Sequence, residues 1–381
     1  MKHWPKIVIY LSVIILSVIS YGFIDPHLSF SSLPVYAYIQ SVLITLVYRH
    51  TFVTAGIYAA LIVAMYIAYS RLIWEKHDLK RHILPGWIIA ILGLLLLSYP
   101  ALSYDIFNYI ATAKVTFKYV ENPYVIMPID ISNEPMLSYT RAANKLALYG
   151  PIWIALTSFP YLLSLNNPLA AIISFKLFVT LFYLALVYMI YRKTKRWDAA
   201  LWFAFNPLVL IEVIVNGHND IVMMALALGG LLLWQRDWPI YKVVGLVLWV
   251  SSIFIKGATI VLLPLFFLSP KVWEKAVLVG FWCMFGVFLI SPLREEMYPW
   301  YAVWWLSFAA CIPVKKQSYI HGFSFWLSFG LMLGYLPWIA TREYGGITPM
   351  IRVIATIVPV GTYVIQREYM KLSNRMRPHS S

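Results

Sequence analysis

Between residues 201 and 234 the chain reads Leu-Trp-Phe-Ala-Phe-Asn-Pro-Leu-Val-Leu-Ile-Glu-Val-Ile-Val, then Asn216-Gly217-His218-Asn219-Asp220, then Ile-Val-Met-Met-Ala-Leu-Ala-Leu-Gly-Gly-Leu-Leu-Leu-Trp. Two runs this apolar, parted by five polar or small residues, read as two helices that meet at a tight corner. One ionisable group, Glu212, interrupts the first run. The same texture extends through the 381 residues: 61% are hydrophobic and 12% charged, against about 25% charged in a typical soluble domain. That balance excludes disorder and argues against a soluble enzyme.

A membrane-crossing helix needs about 20 mainly apolar residues. Apolar runs near 7–23, 52–70, 85–102, 169–191, 199–215, 219–235, 240–255, 257–270, 276–292, 299–313, 321–338 and 347–365 give about twelve such spans. Two shorter runs, 33–48 and 151–165, read as interfacial or re-entrant. The run from Ile7 lacks a convincing small-x-small cleavage site and reads as an uncleaved first span. Cys283 and Cys311 fall in apolar stretches and read as buried thiols. No repeat or low-complexity linker divides the chain. The expected fold is therefore all-α: one polytopic transmembrane helical bundle over 1–381, with a long extracytoplasmic loop (103–168) containing interfacial helices.

Charge orients this bundle. The chain holds 30 Lys+Arg against 16 Asp+Glu, a formal net charge of +14. With the N-terminus cytoplasmic and 151–165 not crossing, the cytoplasmic side receives 20 basic residues: Lys2, Lys6, Arg71, Lys76, Lys80, Arg81, Arg192, Lys193, Lys195, Arg196, Arg236, Lys242, Lys271, Lys275, Lys315, Lys316, Arg367, Lys371, Arg375 and Arg377. It also receives six acidic ones: Glu75, Asp78, Asp198, Asp237, Glu274 and Glu368. The whole excess then lies where the positive-inside rule places it, so it records orientation rather than nucleic-acid binding. Both termini are expected in the cytoplasm. The outer side is left with the 103–168 loop, the Asn216–Asp220 corner and a corner around Arg294–Trp300.

Nucleotide, zinc and serine-hydrolase signatures are missing, as is an Asp-x-Asp metal clamp. The outer loop opens with Tyr104-Asp105-Ile106-Phe107-Asn108-Tyr109. As a helix over 104–118, it gathers Asp105, Asn108, Tyr109 and Thr116 on one side, with Ile106, Ile110 and Phe117 opposite. Such a helix would lie along the membrane surface, with Lys114 and Lys118 snorkelling to lipid phosphate. Asp105 reads either as a helix cap or as a carboxylate held over a cavity. The 216–220 corner reads either as ordinary capping or as a polar wall of the same cavity. Glu212, inside a span, is costly and hence a functional candidate. Lys256 would pair with Glu212 or bind an anionic ligand. Lys176, near a helix end, would snorkel, and Tyr298-Pro299-Trp300-Tyr301 could be an interfacial belt.

Tyr104-Asp105-x-x-x-Tyr109, Asn122-Pro123-Tyr124 and Tyr149-Gly150-Pro151-Ile152-Trp153 resemble the first outer loop of GT-C glycosyltransferases. Phe205-Asn206-Pro207-Leu208-Val209-Leu210-Ile211-Glu212 running into Asn216-Gly217-His218-Asn219-Asp220 is similar to the polyprenol-phosphate-mannose-dependent mannosyltransferases of that superfamily. Phe254-Ile255-Lys256 and Tyr298-Pro299-Trp300-Tyr301 also look like segments of that group. The resemblance covers roughly 84–305. It implies an inverting transfer of a hexose, mannose by that likeness, from a polyprenyl-phosphate donor to a glycan, glycolipid or protein acceptor. The transfer would occur at the extracytoplasmic face, with Asp105 as catalytic base. The implied substrate-binding residues are Tyr104, Asn108, Tyr109, Asn122, Tyr124, Tyr149, Glu212, Asn216, His218, Asn219, Asp220, Lys256, Trp300 and Tyr301. Lys256, His218, Arg141 and Lys145 would face the departing phosphate. No cofactor and no metal-ligand set is expected, without excluding a divalent metal. The rival readings are a secondary transporter or lipid-sugar flippase, which the absence of repeated halves disfavours, and a non-catalytic lipid-binding subunit.

Overall fold

A computed structural model describes residues 4–24, 28, 33–74, 84–131, 134–293, 296–313 and 318–376. Of the residues invoked above, Lys2, Glu75, Lys76, Asp78, Lys80, Arg81, Arg294, Lys315, Lys316 and Arg377 lie outside that set. Every regular element among the described residues is helical. In chain order these are α1 (Trp4–Ser20), α2 (Pro34–Leu43), α3 (Thr51–Trp74), α4 (Leu84–Leu96), α5 (Asp105–Phe117), α6 (Pro151–Leu156), α7 (Ser158–Leu163), α8 (Pro168–Thr194), α9 (Trp197–Ala204), α10 (Pro207–Val209), α11 (Asp220–Trp234), α12 (Pro239–Lys256), α13 (Trp273–Ile290), α14 (Ala302–Ala309), α15 (Ser318–Leu333), α16 (Leu336–Thr341) and α17 (Thr348–Met376). A π-helical turn, Leu210–Val215, extends α10, and a 3₁₀ segment, Ala258–Phe267, follows α12.

Among the described residues, seven helical stretches are long and apolar enough to cross a membrane: Trp4–Phe23, Thr51–Ile73, Pro168–Thr194, Pro239–Lys256, Trp273–Leu293, Tyr319–Thr341 and Thr348–Ser373. An eighth results if Trp197–Ala204 and Pro207–Val215, bent by 53°, are one broken span. This count does not confirm the expectation of about twelve. The runs at 85–102, 219–235, 257–270 and 299–313 are helical but short. At 1.5 Å per residue, the 15-residue α11 reaches about 22 Å, less than the roughly 30 Å of a bilayer core. The sequence test counted apolar residues of the corners as though they were helix. The runs 33–48 and 151–165 are also short apolar helices.

Contacts sort the connections into two ends. At one end Lys193 Nζ donates to the Gln235 amide oxygen Oε1 at 2.8 Å and lies 4.1 Å over the Trp273 ring. These contacts join the C-termini of α8 and α11 to the start of α13. The residues 216–220, Lys256 and Trp300 meet at the other end, against the start of α5. Between the ends α11 and α12 pack backbone to backbone. A Cβ on Gly230 would stand 2.6 Å from the Gly245 carbonyl oxygen, so only glycine allows that approach.

Two surface readings fail. Lys176 does not snorkel; it is wholly buried and donates to the Leu95 and Ser98 carbonyls at 2.7 and 2.6 Å, capping the end of α4. Nor does α5 lie on a lipid surface. Ile106 through Ala111 are buried, and so are Ala113, Lys114 and Val115. Lys114 and Lys118 reach Glu134 instead, at 2.5 and 2.9 Å. Inside protein a carboxylate compensates those cations, so no lipid phosphate is needed.

Candidate active site

The helix expected over 104–118 forms over Asp105–Phe117. Tyr104 is its N-cap residue and Asp105 the first helical one, with no side-chain cap hydrogen bond at this terminus. The Asp105 carboxylate is thus not consumed in capping. Its amide donates to Ser103 Oγ at 3.2 Å, and its Oδ2 lies 3.4 Å from His218 Nδ1.

The corner that carries His218 is built from backbone. The π turn brings the Asn216 amide onto the Ile211 carbonyl (2.9 Å) and the His218 amide onto the Glu212 carbonyl (3.1 Å). Gly217 between them has φ +76°, and a Cβ there would meet Ile106 Cδ1 at 3.0 Å. A larger residue would be strained and would push on α5. The arrangement presses the corner against the start of α5, and 113 residues of sequence separation become a carboxylate–imidazole contact.

Behind His218 sits Glu212. Its Oε2 lies 3.3 Å from His218 Nε2 and accepts from Asn216 Nδ2 at 2.9 Å, while its Oε1 accepts from the Tyr335 hydroxyl at 2.8 Å. Asn216 Oδ1 accepts from the Leu102 amide at 3.2 Å, tying the corner to the approach of α5. His218 is fully buried, and neither ring nitrogen makes an aligned hydrogen bond. Its ring stacks on Trp300 at 4.0 Å and 16°, and Trp300 stacks in turn on Tyr298 at 4.4 Å. The imidazole is therefore held by stacking in the plane between two carboxylates.

Burial works to raise the Asp105 carboxyl's pKa, but the His218 contact and charge, with Lys256 beyond, outweigh it and hold the group below its ordinary value. Burial opposes the imidazolium of His218; Asp105 and Glu212 more than offset that and raise its pKa above the usual histidine value. Both shifts favour the same charge state, a carboxylate beside an imidazolium.

A second pair closes the site. Lys256 Nζ lies 2.7 Å from Asp220 Oδ2, and Asp220 Oδ1 accepts from Trp304 Nε1 at 2.6 Å. The expected pairing of Lys256 with Glu212 is replaced by this one, because Asp220 opens α11 and Lys256 closes the adjacent helix α12. The Lys256 ammonium stands 5.4 Å over Tyr301 and 5.9 Å over Tyr149. Tyr149 is brought there by the Gly150 amide, which donates to the Ile255 carbonyl at 2.9 Å. Tyr109 packs edge-on to Tyr149 at 4.7 Å, and its hydroxyl donates to Asn219 Oδ1 at 3.2 Å.

Other expected residues stand further out. Asn108 Oδ1 accepts from the Ala142 amide at 3.3 Å, and Tyr104 stacks beneath Arg141 at 4.6 Å. Asn122 is exposed and accepts from the Tyr124 amide in a local turn, and Tyr124 donates to the Tyr149 carbonyl at 2.8 Å. These two shape the loop rather than join the cluster. Lys145 is exposed. Trp304 and Tyr335 were not anticipated. Trp304 had a signal, lying four residues after Trp300 on one helical face; Tyr335 had none. Among the described residues no group of three or more His, Cys, Asp or Glu is placed to hold a metal ion.

A sequence model of the family described as alpha-(1->6)-mannopyranosyltransferase, N-terminal domain, matches residues 11–270. The chain is also similar to alpha-(1->6)-mannopyranosyltransferase A of Mycobacterium tuberculosis (strain ATCC 25618 / H37Rv), 28% identical over 181 residues, which is 45% of this chain and 33% of that protein. The match thus spans about a third of the relative's length. No solved structure matches the chain. The chain belongs to the alpha-(1->6)-mannopyranosyltransferase family.

Proposed function

We propose that this member of the alpha-(1->6)-mannopyranosyltransferase family is an integral membrane mannosyltransferase that takes mannose from a polyprenyl-phosphate carrier and transfers it with inversion. An acceptor hydroxyl attacks the anomeric carbon, and Asp105 takes its proton. The bond from that carbon to the phosphate oxygen breaks, and its electron pair leaves with the phosphate. The arrangement of Asp105 against His218 and Glu212 carries this reading. A general base must be ionised before it can accept a proton, and the imidazolium beside Asp105 keeps it so. Asp105 is also the accessible member, with its side chain 23% exposed while His218 and Glu212 are 0%. Lys256, 12% exposed, supplies positive potential where a departing phosphate gains charge.

The two ends of the bundle support an extracytoplasmic site. The end holding Lys193 and Arg196 is the basic one, and the positive-inside rule assigns it to the cytoplasm. Asp105 then faces the extracytoplasmic side, where a lipid-linked sugar replaces a nucleotide sugar as donor.

The test is Asp105→Asn in purified enzyme given polyprenyl phosphomannose and acceptor. We expect donor binding to persist and turnover to fall by about 10²- to 10⁴-fold, the usual contribution of a general base. Near-normal turnover would overturn the assignment. Movement of intact labelled donor across vesicles, without release of free polyprenyl phosphate, would replace it with transport.

A further inference from the structure

At the end of the bundle away from the candidate site, two cations converge without a carboxylate between them. Lys193, in the last turn of α8, is half-buried. An ammonium can donate three hydrogen bonds. Among the described residues Lys193 makes one, to Gln235 Oε1 at 2.8 Å, and covers the Trp273 ring at 4.1 Å. The Arg236 guanidinium, one residue beyond Gln235, adds a like charge that works against it. Arg236 is exposed, and neither cation has an ion pair among the described residues. Asp198 is taken by Arg196 at 2.5 Å, and Asp237 is exposed and pairs with neither cation. The carbonyl ends of α8 and α11 lend both cations partial negative charge, which leaves their donors unfilled.

The surroundings set the depth and the apolar path of a ligand. Trp197 and Trp238, close in sequence to Lys193 and Arg236, are exposed, and exposed tryptophans gather at the headgroup level of a bilayer. An apolar row starts beside them. Trp234 Nε1 donates to the Phe266 carbonyl at 2.7 Å, which fastens the end of the Ala258–Phe267 segment to the end of α11. Ile260, Leu263 and Phe267 are exposed along that segment. At about 2 Å per residue, the row reaches about 14 Å from Phe267 into the apolar zone.

We infer that Lys193 and Arg236 hold the phosphate of an anionic glycerophospholipid, with an acyl chain along Phe267, Leu263 and Ile260. Arg236 supplies a planar fork for two phosphate oxygens and Lys193 a point charge. A zwitterionic lipid carries an ammonium beyond its phosphate and would bring it up to two cations, so a headgroup without a cation is selected. Basic pockets between membrane helices recognise lipid headgroups in this way. The site shares no residue with the proposed transfer and stands or falls without it.

A general excess of basic residues attracts anionic lipid without any site, so the test compares two charge-matched pairs. The full chain in detergent is titrated with dioleoyl phosphatidylglycerol, dioleoyl phosphatidylcholine and inorganic phosphate, and bound lipid is counted by native mass spectrometry. Phosphatidylglycerol should bind about tenfold tighter than phosphatidylcholine, the order expected of two cations near a lipid phosphate. Lys193→Gln/Arg236→Gln should erase that preference. Arg192→Gln/Lys195→Gln removes the same charge from exposed neighbours at the end of α8 and should leave it whole. Arg236→Gln alone, which breaks no hydrogen bond among the described residues, should lower it about fivefold. Phe267→Asn should weaken both lipids. Preference kept in Arg236→Gln, or erased equally by the two charge-matched pairs, overturns the site. Inorganic phosphate displacing phosphatidylglycerol at equal concentration makes it a free-anion site and overturns the lipid. Lipid affinity unchanged in Phe267→Asn overturns the acyl path.

Discussion

Two carboxylates in one 30-residue stretch meet opposite fates. Glu134, 4% exposed, accepts from Lys114, Lys118, the Tyr119 hydroxyl and the Met136 amide. Every lone-pair direction is occupied. Asp105, more open, has the His218 ring at 3.4 Å and no aligned hydrogen bond to it. The first is a closed ion cluster that fastens the loop to α5. The second keeps acceptor capacity free at an accessible edge, as the base proposed above must. Burial and charge alone do not separate structural from reactive carboxylates; the difference lies in how completely the oxygens are spent.

The comparison breaks most sharply under substitution. Asp105→Asn should lower turnover on the scale given above and move the unfolding midpoint little, since no aligned hydrogen bond is lost and Glu212 still faces His218. Glu134→Ala should do the reverse. Removing one partner of a buried pair leaves uncompensated charge and costs about 3 kcal/mol or more, while activity per folded molecule stays near wild type. Thermal unfolding in detergent beside a turnover assay reads both. If Glu134→Ala kills turnover at full stability, the contrast is wrong.

Acid should separate them next. Burial tends to raise the Glu134 pKa, but its hydrogen bonds from Lys114, Lys118 and Tyr119 overcome this and bring it down from 4.5 to about 2. A carboxyl depressed on folding contributes stability above its unfolded value and loses it as pH falls through the folded one. The wild-type protein should therefore lose stability between about pH 4.5 and 2, and Glu134→Ala should lack that component of the transition. For Asp105 the readout is the acid limb of the rate profile. With His218→Gln the imidazolium is gone and only the pull of Lys256 and Tyr149 still works against burial, so the carboxyl pKa rises and the limb moves to higher pH. An unmoved limb would show that His218 does not govern the base.

How much of this was legible in the sequence depends on reach. The α5 helix and the corner were readable because local apolar spacing, turn residues and an intramembrane acid announce themselves within a few residues. The identity of each ion-pair partner was not. Lys256 has carboxylates at 212 and 220 in prospect, and only the backbone packing of α11 on α12 selects Asp220. Lys114 and Lys118 read as snorkelling because their partner Glu134 lies in a segment with no periodicity. The span count departs from the helices of the structure where helices break. The π turn at Leu210–Val215 and the 3₁₀ stretch at Ala258–Phe267 keep an apolar composition while abandoning α geometry, so composition sees a span where there is a bend.

The smallest effect tests whether the open carboxylate is itself supported by a filled one. Glu212 stands between the two cases: both its oxygens are bonded, to Tyr335 and Asn216, yet one also faces His218. Tyr335→Phe removes one neutral donor and leaves Glu212 Oε1 unmet in a buried place, a loss of about 1 kcal/mol. The Glu212 Oε2 contact with His218 Nε2 is left in place, so the imidazolium keeps that neighbour. We expect turnover to fall by a few fold at most, with the acid limb staying where the wild type has it. A limb that shifts as far as in His218→Gln would mean that Tyr335 sets the charge of the chain from the Glu212 side. The distinction between spent and unspent carboxylates would then have to be drawn at Glu212 rather than at Asp105.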